Sequence, residues 1–264
     1  MSTDYWQKQT DTPLFENILW SRPQSKAGAG KLVVVGGNSH GFGAPGIAYN
    51  TALDSGVGVC RVVLPDAIKK IVKGMLPDAD FVPSTPSGSF SRNALDTILS
   101  DANWSDLCLL AGDIGRNSET AILLEIFVQK YTGLLTITQD AIDYFKETPL
   151  QIVDRENTLI ALSLSQLQKI FIATPTITPI TFSMTSQQLA HALHDYTQIH
   201  PACIITKHND LLFVAFDGKV ATQKHDEKIW RIETAARASV FWLQNPSNIF
   251  EAAVSAMWPD TLES

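Results

Sequence analysis

Short, continuous apolar runs alternate along this chain with longer stretches in which apolar residues recur every three or four positions. Residues 32–35, 59–64, 107–110, 134–137, 159–162 and 203–206 form runs of the first kind, the pattern of strands buried on both faces. Residues 67–75, 93–99, 118–130 and 187–199 read as helices, as does 44–54, which is rich in alanine and other small residues. In 118–130 a serine cap precedes Ile122, Leu123, Ile126 and Phe127 on one face. Lys69, Lys70 and Lys73 fall on the wet side of 67–75. The runs 211–216 and 219–221 flank Asp217 and Gly218, which predicts a hairpin. Two further helices, 235–243 and 248–257, are split by Pro246. Strands alternating with helices predict an α/β protein, a three-layer α/β/α sandwich around a mostly parallel sheet. Residues 1–24 read as an irregular arm with apolar anchors, and 25–264 as one domain without repeat or linker.

With 45% hydrophobic residues in 264, the chain is long enough to bury a sizeable core. Twenty-seven acidic against 20 basic side chains give a net charge of −7, so a surface tracking nucleic acid is not expected. No apolar run reaches membrane-spanning length, and the polar opening is unlike a signal peptide, so no membrane contact and a cytoplasmic location are expected. Cys60, Cys108 and Cys203 are widely spaced and read as small buried hydrophobes. His191 and His194, with Asp195 beside them, have a spacing that could hold a metal. No third ligand is recognisable, so they read as solvated helix face and no metal site is expected. Ser39 and Ser163 lack a nucleophile-elbow pattern and a His–Asp pair, which gives no support to a hydrolase triad.

The chemistry is concentrated in residues 36–45, GGNSHGFGAP, between a buried strand and a helix of small residues. Ligands of open parallel sheets bind beyond the carboxyl ends of the strands, where glycines allow close approach and a helix start offers N–H groups to an anion. The glycine spacing matches neither the dinucleotide fingerprint nor the P-loop, and the same residues could simply form a tight loop. His40 could hydrogen-bond a ligand there or cap the turn.

Further residues carry a family resemblance. Lys26-Ala27-Gly28-Ala29-Gly30, the strand 32–35, Gly36-Gly37-Asn38-Ser39, Gly43-Ala44-Pro45, Ala48, Ala52 and Gly56-Val57-Gly58 stand in order. Together they resemble the opening of the ADP/ATP-dependent NAD(P)H-hydrate dehydratases of the ribokinase-like superfamily. LLAGDIGR at 109–116 stands where that family has Gly-Pro-Gly-Leu-Gly-Arg. TQDAID at 138–143 takes the place of its Asp-Ala-Asp segment, and Lys207 that of its nucleotide-contacting lysine. The resemblance implies a ribokinase-like fold. It also implies ADP or ATP with Mg2+ as cosubstrate, and a lyase activity on the hydrated ring of NADH or NADPH by phosphorylation and loss of phosphate. It places Gly36, Gly37, Asn38, Gly43, Ala44, Gly115 and Asp140 at the substrate and Lys207 at the nucleotide.

The departures are as informative as the matches. The family opens its penultimate helix with Gly-x-Gly-Asp, giving an anion hole and a proton-accepting carboxylate; this chain reads Lys228, Ile229, Trp230, Arg231, Ile232, Glu233. Bulky side chains at such a turn obstruct a phosphate and disfavour the needed dihedrals. Asp226, Glu227 and Glu233 are the carboxylates available to replace the missing aspartate. The family's His-Pro-Gly-Glu turn falls on SLSQ at 163–166, Thr138 replaces an aspartate, and Asp113 replaces a glycine beside the phosphates. Dehydratase activity is therefore doubtful. A binding or assembly module that takes a nucleotide or dinucleotide fits better, and small-molecule kinase activity needs the same absent turn. Trp230, Phe241 and Trp242 read as core or interface anchors, and a homo-oligomer is expected.

Overall fold

In the computed structural model, residues 4–72, 74–76, 79–228 and 230–258 are described. Two residues of the sequence reading, Lys73 and Ile229, lie outside them. Ten strands build one sheet: β1 (Trp6–Gln9), β2 (Lys31–Gly36), β3 (Val59–Pro65), β4 (Ala79–Val82), β5 (Leu107–Gly112), β6 (Leu134–Thr138), β7 (Thr158–Ser163), β8 (Cys203–His208), β9 (Leu211–Phe216) and β10 (Lys219–Lys224). Their order is β1-β10-β9-β8-β7-β6-β5-β2-β3-β4. The seven strands from β8 to β4 are mutually parallel, so their carboxyl ends share one edge. β8, β9 and β10 run antiparallel in turn.

The continuous apolar runs are explained by two cores. Successive side chains of a strand point to opposite faces, so Val33 and Val35 enter one core while Leu32 and Val34 enter the other. Helices Leu95–Trp104, Ser118–Lys130, Leu164–Ala173 and Ser186–Thr197 cover the first face. Helices Gly43–Asp54, Arg231–Gln244 and Ile249–Ala256 cover the second. Three layers result, as the alternation predicts. Burial pushes the Cys108 and Cys203 thiols well above the ordinary range, in keeping with inert core residues. None of the helices among the described residues is long and apolar enough to cross a membrane.

Several expectations need correction. The arm is not irregular throughout: β1 extends the sheet by pairing parallel with β10, and Trp6 Nε1 donates to Thr222 Oγ1 at 3.0 Å. Helix Glu16–Trp20 follows, with Ile18 buried. The pair His191 and His194 helps to hold this arm. Tyr5 stacks on His194 with centroids 4.0 Å apart, and its hydroxyl lies 3.4 Å from His191 Nδ1. Of the two readings of Phe241 and Trp242, core or interface, their full burial supports the first. Helix 67–75 shrinks to a helical turn and Lys69–Val72.

Candidate functional site

The loop after β2 owes its shape first to packing. A Cβ on Gly36 would lie 2.5 Å from the Gly112 carbonyl oxygen and 2.8 Å from Pro45 Cγ, so only glycine lets β2 approach β5 here. Gly37 N–H then donates to the Gly112 carbonyl at 3.0 Å. Asn38, buried, donates from Nδ2 to the Asp113 carbonyl and accepts the His40 N–H at Oδ1, 2.7 Å away. The turn is capped by Asn38 and not by the His40 ring, which is exposed.

Helix Gly43–Asp54 starts in this loop, and one of its first N–H groups faces an anion supplied by the chain itself. The Asp113 carboxylate accepts the Ala44 N–H at 2.7 Å. Charge at a helix N-terminus is favoured by the helix dipole as well as by the hydrogen bond. The loop after β5 repeats the device. Gly112, Asp113 and Gly115 all have positive φ (97°, 54° and 82°), and Ile114 and Gly115 direct their N–H groups at the Asp140 carboxylate, at 3.5 and 3.2 Å. Burial raises the Asp140 pKa; these two N–H donors oppose the rise, and the neighbouring Asp113 adds to it. The Ala44, Ile114 and Gly115 N–H groups, which an anionic ligand could use, are thus bonded from within.

The carboxyl end of β7 is closed in the same manner. Where sequence matching placed a family turn, Ser163 and Gln166 instead form a capping box on helix Leu164–Ala173. Gln166 Nε2 also donates to the Gln139 carbonyl at 2.8 Å and to Asp143 at 3.2 Å. Trp230 and Arg231 open helix Arg231–Gln244, without a side-chain cap. Arg231 Nη1 reaches across to Gln166 Oε1 at 3.0 Å, so a guanidinium fills the edge where a bare turn was sought. Burial lowers the Arg231 pKa, while Asp143 and Asp140 favour its charged form.

Two of the openings among the described residues bear on the candidate site, and they have no lining residue in common. A cleft of about 650 Å³ lies beyond β5 and β6, between Gly115, Asp140, Asp143 and Lys169. A second cavity, about 570 Å³, is lined by Asp226, Glu227 and Glu233 among others. Burial, then Glu227, raises the Glu233 pKa. The three carboxylates considered as replacements for the missing aspartate therefore face a different space from Asp140. Lys207 stands at the end of β8, two strands from β6, with Nζ donating to the Glu227 carbonyl at 2.6 Å.

Gly36, Gly37, Asn38, Gly43, Ala44, Gly115 and Asp140 are accordingly brought together; Lys207 is not. Sequence reading missed the parts played by Gln166 and Arg231. A Ser-x-x-Gln spacing was available for the first, and no local signal for the second. Among the described residues no group of three or more His, Cys, Asp or Glu could hold a metal.

The fold recurs in solved proteins. A ribokinase-like superfamily protein from Enterococcus faecalis superposes with a TM-score of 0.74 at 15% identity, over 97% of this chain and 86% of that one. The fold is ribokinase-like. Another neighbour, an ADP/ATP-dependent NAD(P)H-hydrate dehydratase from Bacillus subtilis co-crystallised with ATP/Mg2+, gives a TM-score of 0.62 at 12% identity, over 95% of this chain and 87% of that one. No family model matches the chain. In sequence, 101 residues are 32% identical to a bifunctional NAD(P)H-hydrate repair enzyme of Methanothermobacter thermautotrophicus, which is 38% of this chain and 19% of that protein. A second such enzyme, from Dictyoglomus turgidum, is 25% identical over 130 residues, 48% of this chain and 25% of that protein. The matched segments thus span a quarter or less of these curated relatives. Within its ribokinase-like frame the chain resembles the NAD(P)H-hydrate dehydratases as a divergent relative.

Proposed function

We propose that this chain binds a nucleotide or a nicotinamide dinucleotide at the carboxyl edge of its sheet and does not transfer a phosphoryl group efficiently. One observation carries the reading: the main-chain N–H groups of Ala44, Ile114 and Gly115 already bond to Asp113 and Asp140, and Arg231 occupies the helix start. Phosphoryl transfer is accelerated by positioned donors aimed at the moving group, which must be vacant when it arrives. The residues present do not form a polyphosphate cradle for ADP or ATP with Mg2+. Sequence similarity to the repair enzymes, strongest as sequence rather than as site chemistry, favours NADH, NADPH or their hydrates as the ligand.

The test is thermal unfolding with NADH, NADPH, ADP and ATP, each with and without magnesium, since a ligand of the native state raises the midpoint by mass action. Stabilisation by a dinucleotide, with no consumption of hydrated NADH in the presence of ADP or ATP, is the expected result. Nucleotide-dependent turnover of hydrated NADH would overturn it.

A further inference from the structure

The cleft beyond β5 and β6 gathers cations from three separate elements. Arg116 follows the β5 loop, Lys146 ends the helical segment after β6, and Lys169 stands on helix Leu164–Ala173. In a chain of net charge −7 this convergence is not a consequence of overall composition. Arg116 and Lys169 make no ion pair among the described residues. Lys146 has only an exposed contact with its neighbour Glu147, 3.8 Å away, which contributes little.

The two carboxylates in the same cleft are engaged by the protein. Asp140 accepts the Ile114 and Gly115 N–H groups, and Asp143 accepts Gln166 Nε2. The hydroxyl of Tyr144 donates to the Gly115 carbonyl at 2.8 Å and holds the loop carrying Arg116 against this wall. Acceptors are therefore used inwardly, while the donors of three long side chains border open space. Building on the reading that a nucleotide or dinucleotide binds at this edge, we propose that Arg116, Lys146 and Lys169 form a side-chain anion site for the ligand's phosphate or diphosphate group. They take over the task of the main-chain donors that Asp113 and Asp140 occupy. Cations on exposed stems attract an anion through solvent, so this binding weakens as salt rises.

Calorimetric titration of the full chain with inorganic pyrophosphate, and separately with NADH, tests the site at low and high salt. Pyrophosphate should bind the wild type, lose affinity with salt, and bind Arg116→Ala or Lys169→Ala about ten-fold more weakly. Lys169→Arg should keep wild-type affinity. All of these positions are exposed, and an unchanged melting midpoint without ligand confirms that the variants fold. Absence of pyrophosphate binding to the wild type overturns the proposal, as does equal binding by the Arg116→Ala/Lys169→Ala double variant. NADH that binds both forms equally removes the anion site and leaves the binding reading intact. Pyrophosphate binding that depends on Arg116 and Lys169, without any NADH binding, supports the anion site and removes the dinucleotide.

Discussion

Asp113 holds a left-handed backbone, φ 54°, and its carboxylate bonds a helix N–H at 2.7 Å from a residue 69 positions earlier. Asp tolerates that conformation better than most side chains. Asp113→Ala should therefore lose both the acceptor and the backbone tolerance, lowering stability by about 1–2 kcal/mol in urea unfolding. Asp113→Gly relieves the backbone and should lose less. Equal stability of all three proteins would show that the carboxylate does not support the helix. Asp140 allows a prediction in pH. Its folded pKa is raised, so the folded protein binds more protons than the unfolded chain just above the ordinary aspartate range. Stability contributed by this group is present below that range and lost as pH rises through the folded pKa. Asp140→Asn should flatten the fall, and unfolding curves of both proteins from about pH 4 to pH 7 would check it. The sequence displayed Asp113 as an intruding charge, but not its partner, because the contact depends on two distant loops meeting.

At the scale of elements, the two glycines flanking the β2 loop should behave differently. A Cβ at Gly36 meets the Gly112 backbone at 2.5 Å, whereas one at Gly43 has only Asp113 Oδ2 within 4 Å, at 3.8 Å. Gly36→Ala should cost more than about 2 kcal/mol of stability, while Gly43→Ala should lie within about 0.5 kcal/mol of the wild type. Chemical denaturation of the pair separates folding from binding: any loss of ligand affinity in folded Gly43→Ala then reports on the site. Central strands such as β2 and β5 were legible because burial on both faces leaves an unbroken apolar run. Strands β1 (WQKQ) and β4 (ADFV) were not, since edge strands of four residues bury few positions and carry no such run. Helix Leu164–Ala173 was missed for another reason: its signal is the Ser163–Gln166 capping box, hidden beneath an assumed match to a family turn.

The whole molecule places its glycine-rich loop after β2 and its cation-lined cleft on one rim of the sheet. Residues 170–185 (IFIATPTITPITFSMT) contain no charged side chain, and Ile172, Ile177 and Phe182 are 80%, 72% and 61% exposed. Exposed apolar groups this close together in sequence are a surface that water solvates poorly. The sequence reads Trp230, Phe241 and Trp242 as core or interface anchors and expects a homo-oligomer; the fold buries Phe241 and Trp242, which leaves residues 170–185 as the surface on which to test that expectation. Sedimentation velocity of the wild type should then show a species heavier than the 29.0 kDa chain. The variant Ile177→Lys/Phe182→Lys should sediment as a monomer with unchanged circular dichroism, because neither side chain supports the core. A wild-type protein that stays monomeric at high concentration would remove the expectation of a homo-oligomer, while a heavier species unaffected by the two lysines would move the contact elsewhere on the surface.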